Sequence, residues 1–249
     1  MRFDGQNALV TGGGTGVGAG IALALAEAGA TVTITGRRLE TLDDLAKRHD
    51  RIRAFAGDVT DRASCAAMIE AAGDPQIVVA NAGTSKSVPF HKMQEDDLQN
   101  MLATNLFGVF NIYQAAIGPM KKTGKGRLLA VASTAGLKGY AYVSAYSAAK
   151  HAVIGLTRSL ALELADTQIT VNAVCPGFTE TPMLRESVDN IMNKTGRSRE
   201  EAERALTAGN PQKRFVQPDE VADAILWLAG SGASAITGQS ISVSGGEVM

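Results

Sequence analysis

Residues 7–18 read NALVTGGGTGVG, a short apolar run that leads into a cluster of glycines. The apolar run is typical of a buried strand, and the small and apolar residues at 18–30 indicate a helix that packs against a sheet. Glycines allow the backbone to turn sharply and approach a ligand, and the free amides at the start of a helix attract phosphate. This order of strand, glycine turn and helix predicts a dinucleotide-binding turn.

The glycines follow the spacing GxxxGxG, through Gly12, Gly16 and Gly18. This spacing differs from the GxGxxG fingerprint because Val17 stands where a third glycine would be needed. A tight turn without a ligand is the alternative interpretation. If the turn binds a cofactor, the candidate contacts are Gly12, Thr15, Gly16, Val17 and Gly18.

Six more apolar runs follow the first, at 31–36, 52–59, 76–83, 126–133, 169–177 and 240–246. Runs that are apolar on both faces are typical of parallel strands covered by helices on each side, and helix-like stretches such as 145–166 lie between them. The sequence predicts an α/β protein: a single-domain Rossmann fold over residues 1–249, with a doubly wound seven-stranded parallel sheet and helices on both faces. The polar residues at about 183–216, here called the excursion, predict a helical lid over a substrate site.

Composition and charge exclude several classes of protein. The 24 Lys and Arg against 25 Asp and Glu leave a formal charge of -1, which offers no basic surface for nucleic acid or an anionic membrane. Cys65 and Cys175 are too few for a disulfide framework, and no cysteine pair has zinc-ligand spacing with a histidine. No run of about 20 apolar residues occurs. We therefore expect a cytoplasmic protein with no metal, nucleic-acid or membrane partner.

The end of the second strand indicates which dinucleotide binds. A carboxylate about 20 residues after the glycines would bind the ribose hydroxyls of NAD, but Arg37 and Arg38 stand there. Because a guanidinium pairs well with a 2′-phosphate, NADP(H) is favoured and NAD(H) stays possible. The alternative is that both arginines are solvated residues that open the next helix.

Two later strand ends supply further candidate cofactor contacts. Asp58, which follows the third strand with Val59 beside it, is placed to accept a hydrogen bond from the adenine amino group. Asn81, Ala82 and Gly83 follow the fourth strand and are expected to line the middle of the cofactor.

Tyr146 and Lys150 are four residues apart in the segment AYSAAK, so they share one face of a predicted helix. A phenol with a pKa of about 10 is a poor base at neutral pH, and a nearby cation favours the phenolate. The same phenol can donate its proton to a developing alkoxide. Ser133 ends the fifth strand, where its hydroxyl can orient a substrate oxygen. Taken singly, a surface tyrosine and a strand cap are the alternatives.

The combined pattern resembles the short-chain dehydrogenase/reductase family. The matching residues are TGGGTGVG at 11–18, ANAG at 80–83, Ser133, YSAAK at 146–150 and PG at 176–177, and their order and spacing agree over essentially the whole chain. The resemblance implies an oxidoreductase that interconverts a ketone and a secondary alcohol with a nicotinamide cofactor.

The resemblance also implies roles for individual residues. Tyr146 would be the general acid/base, Lys150 would bind the nicotinamide ribose and lower the phenol pKa, and Ser133 would hold the substrate oxygen. Asn105 matches the asparagine that supports a water-linked proton relay. The segment that would cover the nicotinamide amide contributes Pro176, Gly177, Thr179 and Thr181.

Within the family, residues 171–183 and 236–249 resemble reductases of 3-oxoacyl thioesters, of the acyl-carrier-protein and coenzyme A types, and polyketide ketoreductases. The leading hypothesis is therefore NADP(H)-dependent reduction of a 3-oxoacyl thioester. Basic residues of the excursion could meet the phosphates of a pantetheine-bearing substrate, although acidic neighbours make a solvated lid with internal ion pairs the alternative. These basic residues are Arg185, Lys194, Arg197, Arg199, Arg204, Lys213 and Arg214.

Two other functions stay open on the sequence alone. One is an NAD(P)-dependent dehydrogenase of a small secondary alcohol, steroid or sugar, and the other is a non-catalytic module that senses a cofactor. The resemblance further implies a homotetramer, in which helices near 98–119 and 145–166 bury each other and the C-terminal strand region forms a second contact.

Overall fold

A computed structural model describes residues 2–249 and contains one seven-stranded parallel sheet. The strands are β1 (Asn7–Thr11), β2 (Thr31–Gly36), β3 (Ile52–Ala56), β4 (Ile77–Ala80), β5 (Lys125–Val131), β6 (Gln168–Pro176) and β7 (Ser240–Val243). Their spatial order is β3-β2-β1-β4-β5-β6-β7, so the direction of winding reverses between β1 and β4. This reversal opens a crevice at the carboxyl ends of the strands, where doubly wound proteins bind ligands. The predicted fold class is confirmed.

Helices cover both faces of the sheet. They are α1 (Gly16–Glu27), α2 (Leu39–Ala46), α3 (Arg62–Ala71), α4 (Glu95–Leu102), α5 (Gly108–Thr123), α6 (Ser144–Glu163), α7 (Pro182–Thr195), α8 (Arg199–Thr207) and α9 (Pro218–Ala229). Successive side chains of a strand point to opposite faces. Val10 therefore packs in a cluster with residues of α1, α2 and α9, while Leu9 packs with residues of α3, α5 and α6. Both faces are buried, as continuous apolar runs require.

Several predicted strands end earlier in the structure than the apolar runs suggested. The run at 52–59 leaves the sheet after Ala56, and the run at 76–83 leaves it after Ala80. The chain turns away at these points, so the last residues of each run become loops above the sheet. Those loops carry several of the predicted site residues.

The excursion contains α7 and α8, which share a small apolar cluster of their own around Leu184, Val188 and Ala202. Arg199 Nη2 lies 2.7 Å from Asp189 Oδ1, and Arg214 Nη2 lies 2.6 Å from Glu220 Oε1 in α9. At least two basic side chains of the excursion are thus paired with acidic residues of the same chain.

Among residues 2–249, no helix combines the length and the apolar character needed to span a membrane.

Candidate active site

The glycine turn after β1 packs tightly against the end of β4. Gly12 has a φ of 63°, and a Cβ added to it would lie 2.8 Å from the Ala82 Cα atom. A Cβ on Gly18 would overlap the carbonyl oxygen of Gly12. Only glycine fits both positions, which explains the GxxxGxG spacing in physical terms.

The start of α1 presents unpaired backbone amides. Thr15 precedes the helix in an extended conformation, is exposed, and its side chain forms no capping hydrogen bond. Within the part of the chain that the structure describes, the amides of residues 16–18 have no backbone or side-chain acceptor. Unsatisfied amides at a helix start form a site for an anionic group.

Asn81 is part of the support of the glycine turn. Its Nδ2 donates to the carbonyl oxygens of Thr11 at 3.0 Å and Gly12 at 3.1 Å. The Thr11 hydroxyl in turn accepts from the backbone amides of Asn81 and Ala82, both at 3.0 Å. The carboxamide of Asn81 therefore holds the turn in shape, and Thr11 is a supporting residue that the sequence pattern did not single out. Gly83 follows in the same loop.

Arg37 and Arg38 are exposed at the end of β2, and neither forms an ion pair within residues 2–249. Asp58 lies near Arg37, in the loop that follows the neighbouring strand β3. Hydrogen bonds from Thr60 and the charge of Arg37 hold the pKa of Asp58 below its usual value, so the group is a carboxylate that can only accept. Val59 is buried beside it, and its carbonyl oxygen accepts from Asn111 at 3.0 Å.

Tyr146 and Lys150 lie in the first two turns of α6, next to the end of β5. Lys150 is buried, and its Nζ donates to the carbonyl oxygen of Val131 at 2.8 Å and lies 5.7 Å from the centre of the Tyr146 ring. Ser133 follows β5, and its Oγ accepts from the Ala135 amide at 3.0 Å. The structure thus brings together the three side chains that were predicted to act on the substrate.

Burial changes the pKa of both titratable groups. It lowers the pKa of Lys150 to about 8, and it raises the pKa of Tyr146, partly offset by a contact with Ser133. The sequence led us to expect a lowered phenol pKa. The direction is the opposite because removal from water disfavours the phenolate more than the hydrogen bond with Ser133 favours it. Cys175 lies buried nearby with its thiol pKa raised to about 11, so it is protonated and a poor nucleophile.

Asn105 lies in a π-helical turn, Ala103–Phe107, between α4 and α5. Its Nδ2 donates to the Thr84 carbonyl at 2.9 Å, and its Oδ1 accepts from the Thr84 amide at 3.3 Å. A Cβ added to Gly83 would lie 2.8 Å from Asn105 Oδ1 and 3.8 Å from Lys150 Nζ. Asn105 therefore lies beside Lys150, and single π-helical turns often occur at functional sites.

The loop after β6 lies opposite the glycine turn. Pro176 ends the strand and pairs with Val243, and the amide of Gly177 donates to the carbonyl oxygen of that residue at 3.0 Å. The hydroxyl of Thr179 donates to Gly177 at 3.0 Å and that of Thr181 donates to Thr179 at 3.2 Å. A Cβ on Gly16 would lie 3.1 Å from Thr181 Cγ2, so the two segments face each other.

One charged group near the site was missed by sequence reasoning. Glu247, in the C-terminal tail, hydrogen-bonds to Tyr140 and pairs with Lys138 in the loop that follows Ser133. No motif marks this residue, because its partners are more than 100 residues away in the sequence.

The model of the short chain dehydrogenase family matches residues 6–191, and the chain belongs to that family. It is 35% identical over 257 aligned positions to the 3-oxoacyl-[acyl-carrier-protein] reductase of Thermotoga maritima, with 100% of each chain covered. It is 37% identical over 175 residues to D-beta-hydroxybutyrate dehydrogenase of Rhizobium meliloti, which covers 70% of this chain and 68% of the relative. Among solved structures it is similar to a variant of actinorhodin polyketide ketoreductase with NADPH, with a TM-score of 0.93, 36% identity and 99% of each chain covered.

The predicted family and enzyme class are thereby confirmed. The chain is an oxidoreductase that acts on CH–OH groups, and the hypothesis of a non-catalytic module is not supported.

Proposed function

We propose that this protein is an NADP(H)-dependent reductase that converts a 3-oxoacyl thioester to the 3-hydroxyacyl thioester. The observation that carries the proposal is the convergence of Ser133, Tyr146 and Lys150 at the carboxyl end of β5, beside the glycine turn. Relatives whose names describe reduction of 3-oxoacyl and polyketide ketones support it.

The residues present fit a nicotinamide dinucleotide phosphate. The unpaired amides of residues 16–18 are donors for the pyrophosphate, and Arg37 is an exposed guanidinium free to pair with a 2′-phosphate. Asp58 keeps a carboxylate oxygen for the adenine amino group. When bound, NADPH supplies the hydride that reduces the carbonyl carbon.

The side chains of this protein donate the proton and stabilise the phenolate that remains. Tyr146 donates its phenolic proton to the substrate oxygen, and burial keeps that proton in place until the oxygen becomes basic. The Lys150 ammonium stabilises the resulting phenolate, and its bond to Val131 fixes its position. Ser133 donates a hydrogen bond to the same substrate oxygen. Asn105, beside Lys150, is placed to support proton return to the phenolate. The reverse steps oxidise the alcohol.

The excursion is the proposed substrate lid of a single-domain enzyme. It follows directly after the loop that faces the glycine turn, and it contains α7 and α8. Because Arg199 and Arg214 are paired with acidic residues, the side chains left for phosphates of a pantetheine arm are other basic residues of the excursion, such as Arg185 and Lys194.

A second candidate is oxidation of a small secondary alcohol. The similarity to D-beta-hydroxybutyrate dehydrogenase favours it, and the same catalytic side chains would serve in the reverse direction.

We also propose that copies of this chain associate into a homotetramer. Phe107 and Leu162 are 53% and 81% exposed on the predicted contact helices, and exposed apolar side chains on facing helices gain free energy when a second copy covers them. Light scattering coupled to gel filtration distinguishes tetramer, dimer and monomer. A cytoplasmic location stays a prediction of the sequence.

The test of function is cofactor-resolved turnover of the purified protein. NADPH and NADH consumption are measured with acetoacetyl thioesters, plain ketones and quinones, alongside an oxidative panel of alcohols. We expect turnover of thioesters with NADPH. Turnover with NADH alone would contradict the role of Arg37, and activity on alcohols alone would favour the second candidate.

A further inference from the structure

Glu247 is a buried carboxylate next to the active site that no step of the reaction uses. Its side chain is 3% exposed, although it lies two residues from the end of the chain. Its Oε1 accepts from the Tyr140 hydroxyl at 2.7 Å and lies 3.0 Å from Lys138 Nζ. A buried carboxylate is unfavourable unless it is paired, and here both partners come from the loop that follows Ser133.

The carboxylate also lies against two other segments, the end of the excursion and the loop after β6. A Cβ added to Gly209, at the end of the excursion, would lie 3.0 Å from Glu247 Oε1. A Cβ added to Gly177, in the loop after β6, would lie 3.2 Å from Oε2. Glu247 therefore lies against three segments: the Ser133 loop, the loop after β6 and the end of the excursion.

A short hydrogen-bonded path leads from Glu247 to Ser133. The Tyr140 hydroxyl lies 2.7 Å from Glu247 Oε1 and also 2.7 Å from Thr134 Oγ1. A carboxylate can only accept, so the single phenolic proton goes to Glu247 and the Thr134 hydroxyl donates to the phenol oxygen. Thr134 is buried and directly follows Ser133, at the start of a short 3-10 turn, Thr134–Gly136.

The Tyr140 ring adds a packing contact to this path. It meets the ring of Phe178 edge to face, with ring centroids 6.0 Å apart. Lys138 Nζ lies 4.8 Å from the centroid of the Tyr140 ring. Phe178 packs against the apolar cluster of the excursion. Loss of the Glu247 contact would therefore free both the loop and the aromatic pair that connects it to the excursion.

We propose that Glu247 is a positioning residue for the ketone reduction, which holds Ser133 in place opposite Tyr146 through Tyr140 and Thr134. This inference rests on the proposed function, because it assigns Ser133 and Tyr146 to the chemical step. Glu247 itself touches no reacting atom.

The test compares four variants of the full-length enzyme: Glu247→Ala, Glu247→Gln, Tyr140→Phe and the Glu247→Ala/Tyr140→Phe double variant. Misplacement of Ser133 by a fraction of an ångström is expected to lower kcat with acetoacetyl-CoA by about tenfold or more in Glu247→Ala. The dissociation constant of NADPH, measured by fluorescence, should stay within about twofold of the wild type, because the glycine turn is untouched. Tyr140→Phe should lose a similar factor, and the double variant should lose no more than either single variant.

Glu247→Gln distinguishes a hydrogen-bonding role from simple filling of space. Its amide oxygen still accepts from Tyr140, so kcat should recover to within about threefold of the wild type. The control is Asp44→Asn, which removes an exposed ion pair between Asp44 of α2 and Lys47 and should leave kcat unchanged. Hydrogen exchange of the amides at 134–146 should be faster in Glu247→Ala and unchanged in Asp44→Asn.

Three results would overturn the proposal: an unchanged kcat in Glu247→Ala, losses that multiply in the double variant, or a glutamine variant as slow as the alanine variant. If Glu247→Ala does not fold, the kcat values of Tyr140→Phe and Glu247→Gln test the proposal, since neither substitution opens a cavity. A wild type that reduces cyclohexanone but not acetoacetyl-CoA would contradict the proposed substrate alone. The comparison of variants would then be made with the ketone, and the hydrogen exchange measurement needs no substrate.

Discussion

The proposed cofactor side and the proposed substrate side of the active site are built in different ways. On the cofactor side, a single run of residues, 11–18, supplies a backbone turn and the unpaired amides at the start of α1. On the substrate side, Ser133, Tyr146 and Glu247 are side chains that three separate segments bring together. A backbone site depends on the path of the chain, whereas a side-chain site depends on the groups that are present.

This difference predicts how each side is damaged. The cofactor side should be sensitive to added atoms, because its glycines already touch their neighbours. The substrate side should be sensitive to the removal of single polar atoms, because a separate role is proposed for each hydroxyl.

Removal of the Tyr146 hydroxyl should damage the substrate side alone. We expect Tyr146→Phe to lower kcat by about 10²–10⁴-fold, because the proton donor is lost. NADPH affinity, measured by fluorescence titration, should be retained. The matched control is Tyr113→Phe, since the Tyr113 hydroxyl is buried with no hydrogen-bond partner within residues 2–249. A Tyr146→Phe enzyme with nearly full turnover would show that another group donates the proton.

One added methyl group should damage the cofactor side alone. In Gly18→Ala the new Cβ overlaps the Gly12 carbonyl oxygen, so the turn must shift. Its amides then no longer point at the proposed position of the pyrophosphate. Loss of one or two hydrogen bonds to a charged group, at about 1.5–3 kcal/mol each, lowers NADPH affinity by roughly 100-fold. Isothermal titration calorimetry measures this change. Gly232→Ala is the control, because its Cβ meets no atom within 4 Å. Equal affinities in the two variants would contradict a backbone-built site.

Arg37 is the exception on the cofactor side, because it would act through its side chain. Arg37→Ala should raise the KM for NADPH about tenfold and leave the KM for NADH nearly unchanged, since only NADPH carries the 2′-phosphate. Steady-state kinetics with both cofactors measure the ratio. Arg38→Ala should have a smaller effect. A parallel rise in both KM values would indicate a general effect on the turn instead.

The smallest expected effect concerns Lys150, and it changes the free energy of unfolding. Its pKa is about 8 in the folded protein and 10.5 as the ordinary value, so between these values the unfolded chain binds more protons. The free energy of unfolding should therefore rise with pH, by about 1 kcal/mol between about pH 8 and pH 9. Well below pH 8 this pH dependence should fade, because the lysine is then protonated in both the folded and the unfolded state. The free energy of unfolding is measured in urea for the wild type and for Lys150→Met at each pH, and the difference between them gives the contribution of the lysine. A difference independent of pH would mean that the folded-state pKa is not lowered.

Local patterns in the sequence were sufficient to predict much of this protein. Continuous apolar runs predicted the strands, because a strand buried on both faces has no polar positions. The spacing of Tyr146 and Lys150 predicted their shared helix face, because the α-helical period depends only on backbone geometry. The glycines at 12 and 18 predicted a close turn, because glycine allows the backbone to turn sharply.

The tertiary structure decided the features that depend on contacts between distant residues. Glu247 reaches Tyr140 across 107 positions, and Thr11 supports Asn81 across 70, and no local pattern contains either contact. The raised phenol pKa of Tyr146 also depends on which groups surround it, because burial raises it while the hydrogen bond with Ser133 lowers it. The sequence by itself determined the fold and the chemical groups, since these follow from periodicity and residue type. Only the folded chain determined how those groups are supported and how readily they give up protons, since both depend on packing across the sheet.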